Sequence, residues 1–169
     1  MANLRVYISG KMSSRYVEDV KAERKRTAEE LKKYRLVAVD PAAAETELWP
    51  NKKKAKISSK FTRKVMEAMV DRDLYLIRRS DVLLYITGDV VSEGSILELR
   101  YAQTIGIPVV MVSPERYSER WMGWLNIVVP KDHTFPEIKS AVRFIYRRYQ
   151  KIHEKNKRYF DLAIRKRKH

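Results

Sequence analysis

The chain has 169 residues, a formal charge of +15, 44% hydrophobic residues and no cysteine, which suits one ordinary domain with a real core and excludes disulfides and thiolate metal sites. His133, His153 and His169 are scattered without ligand spacing, no apolar run approaches membrane-spanning length, and the start lacks a signal-peptide pattern, so we expect a cytoplasmic protein without a metal site or other cofactor. Residues 147–169 carry 10 Lys/Arg against 2 acids, about half of the excess charge; the basic body suits an anionic small substrate, and the tail suits polyanion contact or plain solvation.

Leu4–Ser9 (LRVYIS) predicts a strand ending at Gly10, followed by Lys11, the Ser13-Ser14 pair and a charged helix to about Lys33. The turn holds neither G-x-G-x-x-G nor a Walker sequence, so dinucleotide and P-loop readings find no support. Tyr7, near the strand's end, reads by itself as a core aromatic whose hydroxyl finds a partner. Arg35–Asp40 (RLVAVD) predicts a second strand, closed by Pro41. From Ala42 to Lys60 the sequence is irregular, which reads as a lid, a binding loop or a disordered stretch. Trp49 either anchors that loop or stacks on a base, and Lys52–Lys56 is either a solvated patch or an attraction for phosphate.

Phe61–Arg79 predicts a helix, because Phe61, Val65, Met69, Val70, Leu74 and Ile77 advance by three and four. Asp73 falls on that apolar stripe. It is either an acid whose pKa is raised by burial or a carboxylate paired with Arg72, Arg78 or Arg79. Asp81 reads as a turn or cap residue. Val82–Ile86 predicts a buried strand, and a polar turn leads to a helix that starts near Ser92–Ser95 and ends at Gly106. Within it Glu98 shares a face with Ala102 and Ile105, where apolar side chains belong. That placement fits a nucleophile or acid-base group at the carboxyl edge of a parallel sheet; Ser95-x-x-Glu98 also fits a capping box, which spacing alone favours.

Ile107–Val112 (IPVVMV) predicts the fourth strand, and a short piece after Pro114 holds Trp121 and Trp124. Leu125–Val129 (LNIVV) predicts the fifth strand, and one long helix from Pro136 carries Ile138, Val142, Ile145, Tyr149 and Ile152. Short apolar strands separated by helices imply an α/β domain over residues 1–150: a doubly wound, five-stranded parallel sheet with helices on both faces. A flavodoxin-like order 2-1-3-4-5 is expected, with a basic helical tail at 151–169. In that order the first and third strands are neighbours, which brings Tyr7 and Glu98 to one crevice.

VYISGKM at the start, the Asp73-(x7)-Asp81 spacing, and SEGSILELRYA followed by GIPV together resemble the nucleoside 2-deoxyribosyltransferase superfamily, in order and spacing from about Leu4 to Ser113. The resemblance implies an N-glycosidase or deoxyribosyltransferase in which Glu98 attacks the anomeric carbon, Tyr7 orients that carboxylate and Asp73 assists departure of the base. Two carboxylates on apolar faces coincide with the two acids such an enzyme requires, and this outweighs the capping box for Glu98. The family also implies a distinction six residues before the nucleophile: base-exchanging transferases carry an acid there, and 2'-deoxynucleoside 5'-monophosphate N-hydrolases carry a serine that meets the phosphate. This chain has Ser92, beside Glu93, Gly94 and Ser95 at a helix start suited to an anion, although the Glu93 carboxylate opposes one unless it turns away. Gly10 and Lys11 in the first loop complete the expected substrate contacts, together with Asn126, which corresponds to a residue lent to a neighbouring subunit. The implied substrate is a nucleoside or its 5'-monophosphate and the implied assembly a homodimer or larger homo-oligomer, with apolar residues of Tyr146–Ile164 available for packing on a neighbour. A non-catalytic nucleotide- or nucleic-acid-binding protein using the basic tail is the alternative. Many Lys, Arg and Glu with few Asn and Gln lean toward a thermophilic source.

Overall fold

The computed structural model describes residues 3–10, 12, 15–44, 62–88, 92–114, 125 and 128–151. Five strands, β1 (Arg5–Gly10), β2 (Val37–Val39), β3 (Val82–Ile86), β4 (Val109–Val112) and β5 (Thr134–Phe135), form one parallel sheet in the order β2-β1-β3-β4-β5. The helices are α1 (Val17–Lys33), α2 (Arg63–Arg78), α3 (Glu93–Thr104) and α4 (Ile138–Ile145). Lys11, Asn126, Trp49, Lys52–Lys56, Trp121, Trp124 and the tail from Ile152 lie outside the described residues.

Alternation along the strands divides the core into two layers. Val6, Ile8, Leu84, Ile86, Val110 and Val112 face α1 and α4, where they meet Leu31, Val142 and Ile145. Tyr7, Leu83, Tyr85, Val109 and Met111 face α2 and α3, where they meet Ile77, Leu99 and Ala102. Both sheet faces are therefore covered, as a parallel sheet requires.

The fifth strand differs from the sequence expectation. Leu125 and Val128 are helical, and the Val129 N–H donates to the Leu125 carbonyl at 2.7 Å. Leu125, Val128 and Val129 are all buried, at helical spacings of three and four, and the strand beside β4 is the two-residue Thr134–Phe135. A short apolar run does not distinguish helix from strand by itself. The last helix also changes character: after Ile145 it widens into a π-helical turn over Tyr146–Gln150, and the Gln150 Oε1 accepts from the Leu4 N–H at 3.2 Å. Tyr146 and Tyr149, expected as surface for a neighbour, pack against this chain's own core.

The turns have local causes. Gly106 (φ +76°) ends α3 with a Schellman pair, its N–H donating to Gln103 and that of Ile107 to Ala102. Arg35 (φ 58°) plays the same part after α1, which shortens the second strand at its start. Gly10 ends β1 at φ +154°, and a Cβ there would lie 2.8 Å from the Ile86 carbonyl oxygen. The close approach of β1 to β3 thus requires glycine at the position expected to meet substrate. Gly10→Ala should lower stability by about 1–3 kcal/mol, measured by urea unfolding; an unchanged midpoint would show that the two strands can separate without loss.

Candidate functional site

β1 carries Tyr7 and Ser9 two residues apart, so both side chains leave the same sheet face, toward α3. The two residues are fully buried. From α3, Glu98 reaches down to both: the Tyr7 hydroxyl donates to Oε1 at 2.7 Å, and the Ser9 hydroxyl donates to Oε2 at 2.5 Å. The neighbouring strand adds Tyr85, whose Cα pairs with that of Ser9.

The phase of α3 decides what Glu98 can do. Its N-cap is Ser92, whose Oγ accepts from the Ser95 N–H at 3.2 Å, while the two serine hydroxyls lie 2.7 Å apart. Ser95 is thus inside the helix and buried, and the capping box proposed for Ser95 and Glu98 does not form. Glu93 is exposed in the first turn, and a Cβ on Gly94 would meet nothing within 4 Å.

Burial is the largest influence on Glu98 and pushes its carboxyl from the ordinary 4.5 up to about 7. The hydrogen bonds from Ser9 and Tyr7 pull against that rise, the Asp73 charge adds to it, and the Arg24 charge opposes it. Burial also holds the Tyr7 phenol well above its usual range, reinforced by the charges of Glu98 and Asp73, so Tyr7 stays a donor. Tyr85 is pushed up to about 12, first by burial and then by Glu98.

Asp73 stands close enough for its charge to act on both Tyr7 and Glu98. Its Oδ1 accepts from Arg72 Nε at 2.9 Å and from Nη2 at 2.6 Å, so the arginine-paired arrangement is the one observed. Behind the site, buried Arg24 on α1 donates through Nη1 to the Ile8 carbonyl and through Nη2 to that of Gly10, which fixes the strand end. Its Nε lies 3.9 Å from Asp40 Oδ1, without a hydrogen-bond partner.

Of the expected site residues, the structure brings Tyr7, Asp73 and Glu98 together and sets Ser92–Ser95 at the start of the same helix. Lys11 and Asn126 lie outside the described residues. Ser9, Arg24 and Tyr85 were not anticipated. Strand alternation from Tyr7 and the buried spacing Val17, Val20, Arg24, Thr27, Leu31 were the available signals. A cleft of about 460 Å³ opens elsewhere, on the α1 and α4 side of the sheet edge, between Arg15, Arg26, Thr87 and Glu137; none of Tyr7, Ser9, Asp73 and Glu98 lines it. We place the candidate chemistry at Glu98, because there the carboxylate, its donors and a second acid converge. Among the described residues no group of three or more His, Asp or Glu is placed to hold a metal ion, and no helix is long and apolar enough to cross a membrane.

A doubly wound parallel sheet with a carboxylate held at its carboxyl edge defines the class of this molecule. No protein-family model and no curated protein matches the chain by sequence. Among solved structures it is similar to a 2-deoxyribosyltransferase from the psychrotolerant bacterium Bacillus psychrosaccharolyticus, with 15% identity and a TM-score of 0.56 over 82% of this chain and 90% of that one. It is also similar to the solution structure of BlsM, with 19% identity and a TM-score of 0.59 over 83% of this chain and 90% of that one. The chain has the nucleoside 2-deoxyribosyltransferase-like fold, as its motifs led us to expect.

The raised carboxyl value has a consequence for stability. A group protonated more readily in the folded than in the unfolded chain contributes stability that is complete below about pH 4.5 and is lost as pH rises through about 7. Glu98→Gln, which keeps the shape without the charge, should therefore be more stable than wild type at pH 8 by on the order of 1–3 kcal/mol. The difference should disappear near pH 4.5. Thermal melts of both proteins across this window test it, and a gap that does not change with pH would contradict the burial of the carboxyl group.

Proposed function

We propose that the protein cleaves the N-glycosidic bond of a (deoxy)nucleoside 5'-monophosphate, with Glu98 as nucleophile, releasing free base and sugar phosphate. The observation that carries this reading is the Glu98 carboxylate held between Tyr7 and Ser9 at the junction of β1 and α3. In its ionised form Glu98 attacks the anomeric carbon as the bond to the base nitrogen breaks, and the bonding pair leaves with the base, which takes up a proton from solvent on the side of Asp73; the later hydrolysis of the ester returns one proton to solvent. The resulting ester between sugar and Glu98 is hydrolysed by water, which restores the carboxylate, as in retaining glycosidases. A carboxylate near pH 7 in affinity for protons is a better nucleophile than an exposed one, and it is ionised only toward neutral pH. Tyr7, protonated throughout, donates to Oε1 and orients the group.

The monophosphate preference rests on Ser92. Its hydroxyl stands at the start of α3, where the helix dipole favours an anion, and exposed Glu93 is free of the fold's interior. Base exchange between deoxynucleosides is a second reading, favoured by the structural likeness to a 2-deoxyribosyltransferase; it differs only in using a base in place of water. Self-association is part of the proposal. Met66, Val70 and Tyr75 on α2 and Ile96 and Leu97 on α3 are exposed apolar side chains that would suit a second copy.

Chromatography of free base released from a panel of deoxynucleosides and their 5'-monophosphates, with and without an acceptor base, tests the reading. Release from monophosphates should follow an acidic limb near pH 7 and fall by at least a thousandfold in Glu98→Ala. Exchange only in the presence of an acceptor base would establish the transferase reading, and no release from any substrate would overturn both. Ser92→Asp keeps a good N-cap and adds a negative charge, so it should reduce monophosphate turnover by roughly tenfold or more while nucleoside turnover holds. Equal loss on both substrates would remove the phosphate from Ser92.

A further inference from the structure

We propose that Ser9 is a positioning residue that fixes the plane of the Glu98 carboxylate through a hydrogen bond to its second oxygen. The geometry is specific. One donor on one oxygen leaves a carboxyl group free to turn about its own bond; two donors on the two oxygens do not. Tyr7 serves Oε1 and Ser9 serves Oε2, and both come from β1 at alternate positions, a rigid spacing of about 6.6 Å. Ser9 is fully buried, and its hydroxyl donates to no other group among the described residues. A serine at the end of a strand would otherwise be expected to bond the adjacent backbone or water. The strand is held in turn by Arg24 on the Ile8 and Gly10 carbonyls, one on either side of Ser9.

The groups that act on Glu98 come from each element around it. Tyr7 and Ser9 belong to β1, Tyr85 to β3, Asp73 with its partner Arg72 to α2, and Arg24 to α1. Asp73 favours the protonated form and Arg24 the ionised one, while Tyr85 stands close enough to feel the Glu98 charge. Against burial, the two hydroxyl donors are the contacts that favour the ionised carboxylate directly, and Ser9 supplies one of them. Removing it should make the proton harder to lose and let the carboxylate rotate away from the line of attack.

This inference rests on the proposed role of Glu98, and its test separates the two. The side-chain carboxyls of the full chain are labelled with carbon-13 on glutamate, and Glu98 is assigned by loss of its signal in Glu98→Gln. In Ser9→Ala the Glu98 midpoint should rise by roughly one to two pH units from about 7. The acidic limb of base release should move by the same amount, so that turnover at pH 6.5 falls roughly eightfold or more and recovers in part at pH 9. Ser9→Cys, close in size and a weak donor, should fall between, and it carries the test if Ser9→Ala fails to fold. An unmoved Glu98 midpoint in the folded variants overturns the inference, as does a uniform loss of turnover at every pH. If the midpoint rises but the wild-type chain releases no base, Ser9 positions Glu98 and the proposed reaction is wrong.

Discussion

A carboxylate placed on the buried side of a helix is the constraint from which the rest of this structure follows. Burying Glu98 without partners would leave it protonated and poorly placed, since an unpaired charge is expelled from an apolar interior by several kcal/mol. Two hydroxyls from β1 moderate that penalty without cancelling it, and a carboxyl value near 7 is the balance of the two. The arrangement demands precise placement of β1, which explains two otherwise separate features. Gly10 lets the strand pass so close to β3 that a Cβ there would lie 2.8 Å from the Ile86 carbonyl oxygen, and buried Arg24 uses two of its nitrogens on the carbonyls flanking Ser9.

The contact joins residues 91 apart in sequence, so it depends on topology and not on local propensity. Strand order 2-1-3-4-5 puts β1 beside β3, and the helix that follows β3 crosses back over the α2 and α3 face of the sheet. Helix phase does the rest. With the cap at Ser92, the buried line of α3 runs through Ser95, Leu99 and Ala102, and Glu98 falls at the edge of that line, above Tyr7 and Ser9. With the cap at Ser95, the first turn would be lost and Glu98 would turn back to the helix start as a reciprocal cap.

Much of this could be read from the chain, and the failures have physical reasons. β3 matches the predicted Val82–Ile86, α3 ends at Gly106 as expected, and the sheet order brings Tyr7 to Glu98. The strand expected over Leu125–Val129 is not seen at its described residues because so short an apolar run, four residues of five, fits both periods; only burial at Leu125, Val128 and Val129 reveals the helical one. The cap of α3 was ambiguous because serines at 92 and 95 each begin an S-x-x pattern, and contact with β1 decides between them. Asp73 pairs with its immediate neighbour Arg72, a pairing that helix spacing does not favour and that the length of the arginine side chain makes possible. Ser9 and Arg24 escaped notice because a serine at a strand end and an arginine in a charged helix look solvated, although both stand at buried phases of their elements.

The placement of positive charge completes the account. Arg24 is the buried cation of the described core, yet its hydrogen bonds go to backbone carbonyls and its nearest carboxylate is Asp40 at 3.9 Å, not Glu98. A direct ion pair would hold Glu98 ionised at all ordinary pH values, but would also occupy its lone pairs and lower its basicity. Charge that acts from behind the strand lowers the carboxyl value without occupying either oxygen. The hydroxyls of Tyr7 and Ser9 take one position on each oxygen and leave others open, because an ionised carboxylate offers about four. For the proposed reaction this distinction decides the outcome. A salt-bridged carboxylate at this position would be a structural anchor, whereas one held by two neutral donors remains basic, oriented and open to a reacting carbon.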